Sequence, residues 1–367
     1  MKSAVTLSSR ERVLLSLGRQ PSDRPAFSWS FGPQPTAKQA LDEYLAQWNC
    51  NYDRLYQATC DIRQFGPAYN GPPLPPQSSI WGWTNKTISY GAGSYEEWDF
   101  RPLANAETVA DIERHPWPNP DHFNYADLRP QIREVDPEHR YARVLWVGNP
   151  MEILSWMMGL EKLMEALVIA PEVVHVGMER ITAFFEELAR RCFAAAPGEF
   201  DAVFGADDVG TQQGPMIGRP TYRELIMPYH RRLYGLSHEH VRFTIHHSDG
   251  SVYDLLDDLH EAGVDCLEAV QVECRDMEPE KLKAGFGDRL AFQGAVSVQQ
   301  VLPQWSVEEV KKEVRRLKSV LGQGGGYICA PSHAIQAGTP VENVIAMVEA
   351  ALETPFDQII AQMQRPL

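Results

Sequence analysis

Arg242–Gly250, RFTIHHSDG, begins as an apolar, β-branched strand and stops abruptly in His246, His247, Ser248, Asp249 and Gly250. A parallel strand buried on both faces reads as a continuous apolar run, and a polar ending marks where it opens onto a site. Side chains alternate along a strand, so only one of His246 and His247 faces that site. A second strand ends in the same way at Tyr327–His333, YICAPSH. His247, Asp249 and His333 together offer two imidazoles and one carboxylate, a candidate zinc set with a coordination position left open. Such an ion would lower the pKa of a bound oxygen or sulfur, or polarise a leaving group. The competing reading has the same three residues hydrogen-bonding one another and a substrate without metal.

Outward from this stretch, strands and helices alternate. Candidate strands are Ala26–Phe31, Asp61–Phe65, Ala142–Gly148, Ala202–Asp207, Arg242–His247, Cys266–Gln271, Leu290–Val296 and Tyr327–Pro331. Helical patterns include Ser9–Leu17, Thr221–Ser237, Val252–Ala262 and Val307–Leu321. Eight strands alternating with helices predict an α/β fold of the (β/α)8 TIM-barrel type, in one domain over residues 1–367 with an N-terminal helical extension. The doubly wound sheet is the lesser alternative. Gly66–Gln77, GPAYNGPPLPPQ, is too rich in Pro and Gly for regular structure. With Ile80–Tyr95 it forms a long insertion carrying Trp81, Trp83, Tyr90 and Tyr95, of the kind that often serves as a lid or binding loop.

The 367 residues carry a formal net charge of −15, which argues against a general nucleic-acid or anionic-membrane binder. No apolar run is long enough to span a membrane. The start, MKSAVTLSSRERVLLSL, has charges where a signal peptide needs its apolar stretch, so a cytoplasmic protein is expected. Cys50, Cys60, Cys192, Cys266, Cys274 and Cys329 are scattered, with no CxxC pair, and read as buried thiols; Cys329 stands out because it lies on the second polar-ended strand.

In a barrel the C-terminal strand ends converge on one face. They are expected at Ser28/Trp29, Asp61/Arg63, Gly148/Asn149, Asp207/Asp208, His247/Asp249, Glu268/Gln271, Ser297/Gln299 and His333. Asp207 and Asp208 point oppositely on their strand, so one faces the pocket as proton carrier, metal ligand or substrate-binding group. The bland alternative is a carboxylate capping the next helix. Gly324–Gly326 enters a strand and so reads as a tight turn, the wrong context for a phosphate loop.

Four stretches then occur in order: SSRERVLLSLGRQPSDRPAFSW, HHSDGSVYDLLDDLHEAGVDCLEAVQ, LKAGFGDRLAFQGAVSVQQVLP and GGGYICAPSHAIQAGTPVENV. In order and spacing they resemble the uroporphyrinogen decarboxylase superfamily over nearly the whole chain, which implies the same barrel. True decarboxylases grip porphyrin carboxylates with an Arg-rich segment after the first strand; here that segment is SWSFGPQPT, without arginine. Asp61 in CDIRQF matches their pyrrole-binding aspartate, and His333 their C-terminal histidine.

DDVGTQQG and the DIR…GPAYNGP stretch look instead like corrinoid-dependent, methyl-ether-demethylating methyltransferases. His247 and Asp249 stand where zinc members of that branch carry His-x-Cys, and His333 where they carry a distant Cys. The harder ligands suit activation of an oxygen leaving group better than a thiol acceptor. Glu224, Glu239 and His260 fit the branch's Glu-x14-Glu-x20-His pattern, but their helix positions lie toward the barrel's bottom, so they serve as a family marker only. Ser297 in GAVSVQ stands where many relatives have Asp, a change in substrate recognition or proton handling.

The resemblance thus implies a methyltransferase (the O-demethylase component) moving a methyl group from a small methylated substrate, an aromatic methyl ether, to Co(I) of a partner corrinoid-binding protein. Zinc falls to His247, Asp249 and His333. Asp208 or Asp207 supplies the proton, with His247 and Asp61 as further catalytic candidates. Trp29, Tyr69 and Trp81 pack on the ring, and Arg63 or Gln212 fixes a polar substituent. Relatives are often dimers, which makes a homodimer an expectation. One alternative is a cofactor-free, decarboxylase-like lyase using Asp61 and His333; another is a non-catalytic protein that sequesters a corrinoid or tetrapyrrole.

Overall fold

The computed structural model describes residues 7–89 and 94–364; residues 1–6 of the N-terminal segment, and Tyr90 of the insertion, lie outside them. Eight parallel strands form the sheet: β1 Ala26–Phe27, β2 Ile62–Phe65, β3 Ala142–Gly148, β4 Ala202–Ala206, β5 Phe243–His247, β6 Cys266–Ala269, β7 Ala291–Val296 and β8 Tyr327–Pro331. Their order is β1-β8-β7-β6-β5-β4-β3-β2, each neighbour parallel. The seam between β1 and β2 is stitched by Asp61, whose amide donates to the Phe27 carbonyl (2.8 Å) and whose Oδ2 accepts from the Phe27 amide (2.8 Å). The sheet is therefore a nearly closed barrel wrapped by helices, the TIM-barrel-like α/β fold that the strand pattern predicts.

Strands β3 to β8 are almost wholly buried, as apolar runs covered by helices on one side and barrel interior on the other must be. Register sets the neighbours of the site: His247 pairs with Ala206 on β4 and Glu268 on β6, and Glu268 in turn with Gln293 on β7. At the opposite end, helix α1 (Ser9–Leu17) is started by the reciprocal Ser8/Glu11 capping box. It buries Val13 and Leu17 and packs on β1, β2, β3 and β8, closing the barrel floor. Gly325, at φ +102, makes the tight turn into β8, where a Cβ would sit 2.3 Å from the Gln20 carbonyl oxygen.

Two elements depart from expectation. The helix predicted over Thr221–Ser237 opens with a π-helical turn, Tyr222–Ile226, before the α-helix Met227–His238. Pro228 has no amide to donate, so the regular ladder is interrupted there. The insertion after β2 is also more ordered and longer than its Pro/Gly content suggests. Ala68–Tyr69 pairs with Phe123–Asn124, and Thr84–Ser89 forms an antiparallel hairpin with Ser94–Phe100. Trp83 and Trp98 pack on Trp156 (ring centroids 5.4 and 5.9 Å), and Trp81 on Phe184 and Phe185 (5.0 and 5.7 Å). These contacts lay the insertion against the helices following β3. Among the described residues, no helix is long and apolar enough to cross a membrane.

Candidate active site

The alternation along β5 decides between the adjacent histidines. His246 points outward, its Nδ1 against the Tyr234 hydroxyl (2.5 Å), and burial, then His230 and His247, press its pKa well below the usual imidazole value. His247 points into the barrel mouth. Its Nδ1 is hydrogen-bonded to Glu268, whose other oxygen accepts from Ser30 Oγ at 2.5 Å. Its Nε2 is left facing Asp208 (3.6 Å) and Asp249 (3.7 Å), and His333 Nε2 lies 3.7 Å from the second oxygen of Asp249.

His247, Asp249 and His333 offer ligand atoms all within 4.8 Å of one another. Three observations fit this trio to a metal ion. Asp249 Oδ1 is buried without a hydrogen-bond partner. The Glu268 carboxylate fixes the His247 tautomer that leaves Nε2 free, the usual outer-shell arrangement for a ligating histidine. Two nitrogens and one carboxylate oxygen are also a donor set that zinc accepts. None of the six cysteines lines the neighbouring cavity; all are buried, and burial pushes the Cys329 thiol up to about 11.

Burial disfavours the His247 imidazolium, yet Glu268, Asp208 and Asp249 outweigh it and hold this group up at about 9. A metal ion must displace that proton. Apparent zinc affinity is therefore expected to rise about tenfold per pH unit from pH 6.5 to 8.5 and to flatten above 9. Calorimetric titration at three pH values checks this, and a flat profile contradicts it. In the metal-free protein the linkage runs the other way. The His247–Glu268 contribution to stability is complete below about pH 6.5 and is lost as pH rises through about 9.

Beside the trio lies a cavity of about 740 Å³, within the usual range for small-molecule sites. Its walls are Trp81, Trp83, Trp146, Trp156, Phe123, Phe184 and Phe185, with Phe31, Asp208, Glu152, His247 and His333 at one end. Among the described residues no lysine or arginine lines it. Phe31 stands edge-on to His247 (4.8 Å) and against His333 (5.0 Å). Glu152 follows the end of β3; burial, then Asp208 and Asp207, push its carboxyl up to about 8, so it holds a proton at neutral pH.

Of the other residues singled out from sequence, Asp208 faces the cavity, and its Oδ1 also accepts the Asp249 amide at 2.8 Å. Asp207 faces away. It is fully buried, paired with His230 Nε2 (2.6 Å), and caps the helix Pro150–Met158 by accepting the Met151 and Glu152 amides (3.1 and 2.8 Å). Trp81 lines the cavity as expected.

Trp29 does not line it. Trp29 is fully buried between Phe27 and Tyr52, with its indole N–H on Thr59 Oγ1 (2.9 Å), because β1 ends at Phe27 and the chain turns there. Arg63 points out of the barrel wall, donating to the Cys60 and Ile62 carbonyls and lying over the Tyr141 ring (3.7 Å). Tyr69 packs on His122 and Phe123 and donates to the Pro72 carbonyl. Gln212 is exposed, its amide oxygen accepting from the Cys274 thiol.

Asp61 precedes β2 and therefore sits on the barrel floor, not at the mouth. It is buried between Arg12 (3.2 Å) and Arg24 (3.0 Å). Asp61→Asn is expected to lower stability by roughly 3 kcal/mol while leaving metal binding at His247 unchanged. Denaturant unfolding beside zinc titration checks both halves. Glu224, Glu239 and His260 are all exposed, and among the described residues they do not come together as a ligand group.

Sequence reasoning left three groups without a role. The strand pattern puts Glu268 at a strand end, and nothing in the sequence marks it as the partner of His247. Glu152 and Phe31 gave no signal beyond following strand ends, at GNPME and SWSF.

The fold and the strand-end cluster define a barrel enzyme scaffold with its candidate site at the C-terminal mouth. Over residues 107–354 the chain matches the uroporphyrinogen decarboxylase (URO-D) family, and it belongs to that family. It is 27% identical over 217 residues to a methylated-thiol–coenzyme M methyltransferase of Methanosarcina mazei, covering 56% of this chain and 52% of that protein. The match thus spans about half the length of that relative. A uroporphyrinogen decarboxylase of Mannheimia succiniciproducens is 23% identical over 279 residues, 72% of each chain. Among solved structures, a methyltransferase from Methanosarcina mazei superposes with a TM-score of 0.66 at 18% identity, covering 95% of this chain and 99% of that one.

Proposed function

We propose that this protein is a corrinoid-dependent methyltransferase that takes a methyl group from a small methylated substrate and passes it to a corrinoid carried by a partner protein. The observation that carries the reading is the cavity: aromatic walls with no cationic side chain, opening onto His247, His333 and Asp208. A porphyrinogen with several carboxylates would need cations there, and Asp61, the residue that would hold its pyrroles, is engaged on the barrel floor.

His247, Asp249 and His333 would hold zinc, which supplies a Lewis acid at the leaving atom when bound. The chain's own residues do the rest. The Trp and Phe walls pack against a flat apolar substrate and exclude water around the methyl group. The Glu152/Asp208 pair supplies the proton that a poor leaving group such as an alkoxide or phenoxide requires, Glu152 being protonated at neutral pH. Glu268 holds the His247 ring in place. Aromatic methyl ethers fit this environment: a ring for the walls and an oxygen leaving group for the hard ligand set.

The test is metal analysis of the purified protein, then incubation with reduced corrinoid and a panel of methoxylated aromatics and methylated thiols, following cobalt methylation by its absorbance change. Zinc near one per chain and transfer from a methoxy aromatic support the proposal. Transfer from methylated thiols alone would replace the substrate class. Transfer from none, beside decarboxylation of a porphyrinogen, would overturn the proposal.

A further inference from the structure

One layer below the candidate site the barrel is not filled. A chamber of about 200 Å³ lies inside it, bordered by Val144, Phe204 and Ile245, each two residues before a cavity residue on its own strand (Trp146, Ala206 and His247). TIM-barrel interiors are ordinarily packed with branched apolar side chains in layers. Here the border also carries the polar side chains of Ser28, Ser30, Gln64 and Gln293, of which Gln64 reaches solvent and Ser28 and Gln293 are buried. Gln293 is 2% exposed, and its Oε1 has no hydrogen-bond partner. A buried amide oxygen facing a polar space of this size accepts a hydrogen bond from whatever occupies that space. It is polar and has room for a handful of waters or a group of a few heavy atoms. Among the described residues no charged side chain borders it, which favours a neutral occupant over an ion.

The only residue bordering both the outer cavity and this chamber, among those described, is Phe31. Its neighbours hold unusual backbone: Ser30 has φ +51 and Gly32 φ +69, with Ser30 Oγ anchored on Glu268. A non-glycine residue in the left-handed region is uncommon and marks a turn held by its surroundings, here by the Glu268 contact.

We propose that the chamber is an inner binding compartment for a small neutral amide or hydroxyl group, with Phe31 as the partition between it and the outer cavity. It rests on reading the outer cavity as the substrate site. In the resting protein water fills the chamber. A substrate bearing such a group on a short arm places it against Gln293 and Ser28 while its methyl group stays in the outer cavity.

The test uses acetamide as probe on the full chain, by crystallography and by saturable binding in solution, with acetate and methylammonium as charged controls and xenon as the apolar one. Expected are acetamide in the chamber on Gln293, no binding of either ion there, and at least tenfold weaker solution binding in Gln293→Leu. Ser28→Ala serves in its place if that variant does not fold. Waters that acetamide never displaces, xenon without acetamide, equal binding in the variant, or acetamide seen only at soaking concentration would each overturn the proposal. The cobalt-methylation assay is a separate readout, so failure of methyl transfer and failure of the chamber are told apart.

Discussion

If zinc sits as proposed, His247→Ala is expected to abolish its binding and lower turnover by at least a thousandfold, and His333→Ala to do the same. The two differ in what else they disturb. His247 is buried against Glu268, so its loss leaves that buried carboxylate without its ionic partner, with only Ser30 Oγ donating to it, and lowers stability by roughly 3 kcal/mol. His333 is half-exposed, meeting Asp249 and the Phe31 ring, so its removal should leave the melting temperature nearly unchanged. Glu268→Gln separates orientation from ligation. It keeps the shape beside His247 Nδ1 but removes the charge, and outer-shell changes of this kind weaken metal binding about 10- to 100-fold. Elemental analysis, zinc titration and thermal melts on the three variants check this. Full metal content in His333→Ala, or unaltered turnover in His247→Ala, would remove the trio from the mechanism.

The trio was legible because each member follows a strong apolar strand, and strand ends of a barrel converge whatever lies between them. The same logic placed Asp208 and Glu268 on the working face. It failed where a strand boundary was misplaced. A strand running through Phe31 would put Trp29 at the mouth, but β1 stops at Phe27 and the following turn, left-handed at Ser30, swings Phe31 over the histidines instead. Asp61 and Arg63 lie at the start of β2 and not at its C-terminal end, Asp61 just before the strand and Arg63 within it, which sends one to the floor and the other through the wall.

The insertion was harder still. Only long-range packing, such as Trp83 and Trp98 on Trp156, decides which of its aromatics reach the cavity, and spacing along the chain carries no trace of that. Glu152 belongs to the same class, since its raised pKa follows from burial and from Asp208 and Asp207 across the mouth.

The adjacent aspartates provide the sharpest separation of chemistry from architecture. Asp208→Asn keeps an oxygen that can still accept the Asp249 amide, so the loop carrying Asp249 should stay in place and stability should change little. What is lost is a carboxylate 3.6 Å from His247 Nε2 and beside the proton held on Glu152. Turnover is expected to fall 10²- to 10⁴-fold, the usual range for a missing proton-transfer group, with substrate affinity retained. Asp207→Ala should show the reverse pattern. It leaves His230 without its partner and frees the Met151 and Glu152 amides at a helix start, a buried pair and a cap lost together, costing roughly 3–5 kcal/mol. Because that helix carries Glu152, some loss of rate should accompany the destabilisation, and lowering the assay temperature should recover much of it. In Asp208→Asn the rate deficit should persist at every temperature. Single-turnover rates and denaturant unfolding on both variants decide the matter. If Asp208→Asn destabilises while Asp207→Ala removes activity from a fully stable protein, the two roles are exchanged and the proton path must be redrawn through His230.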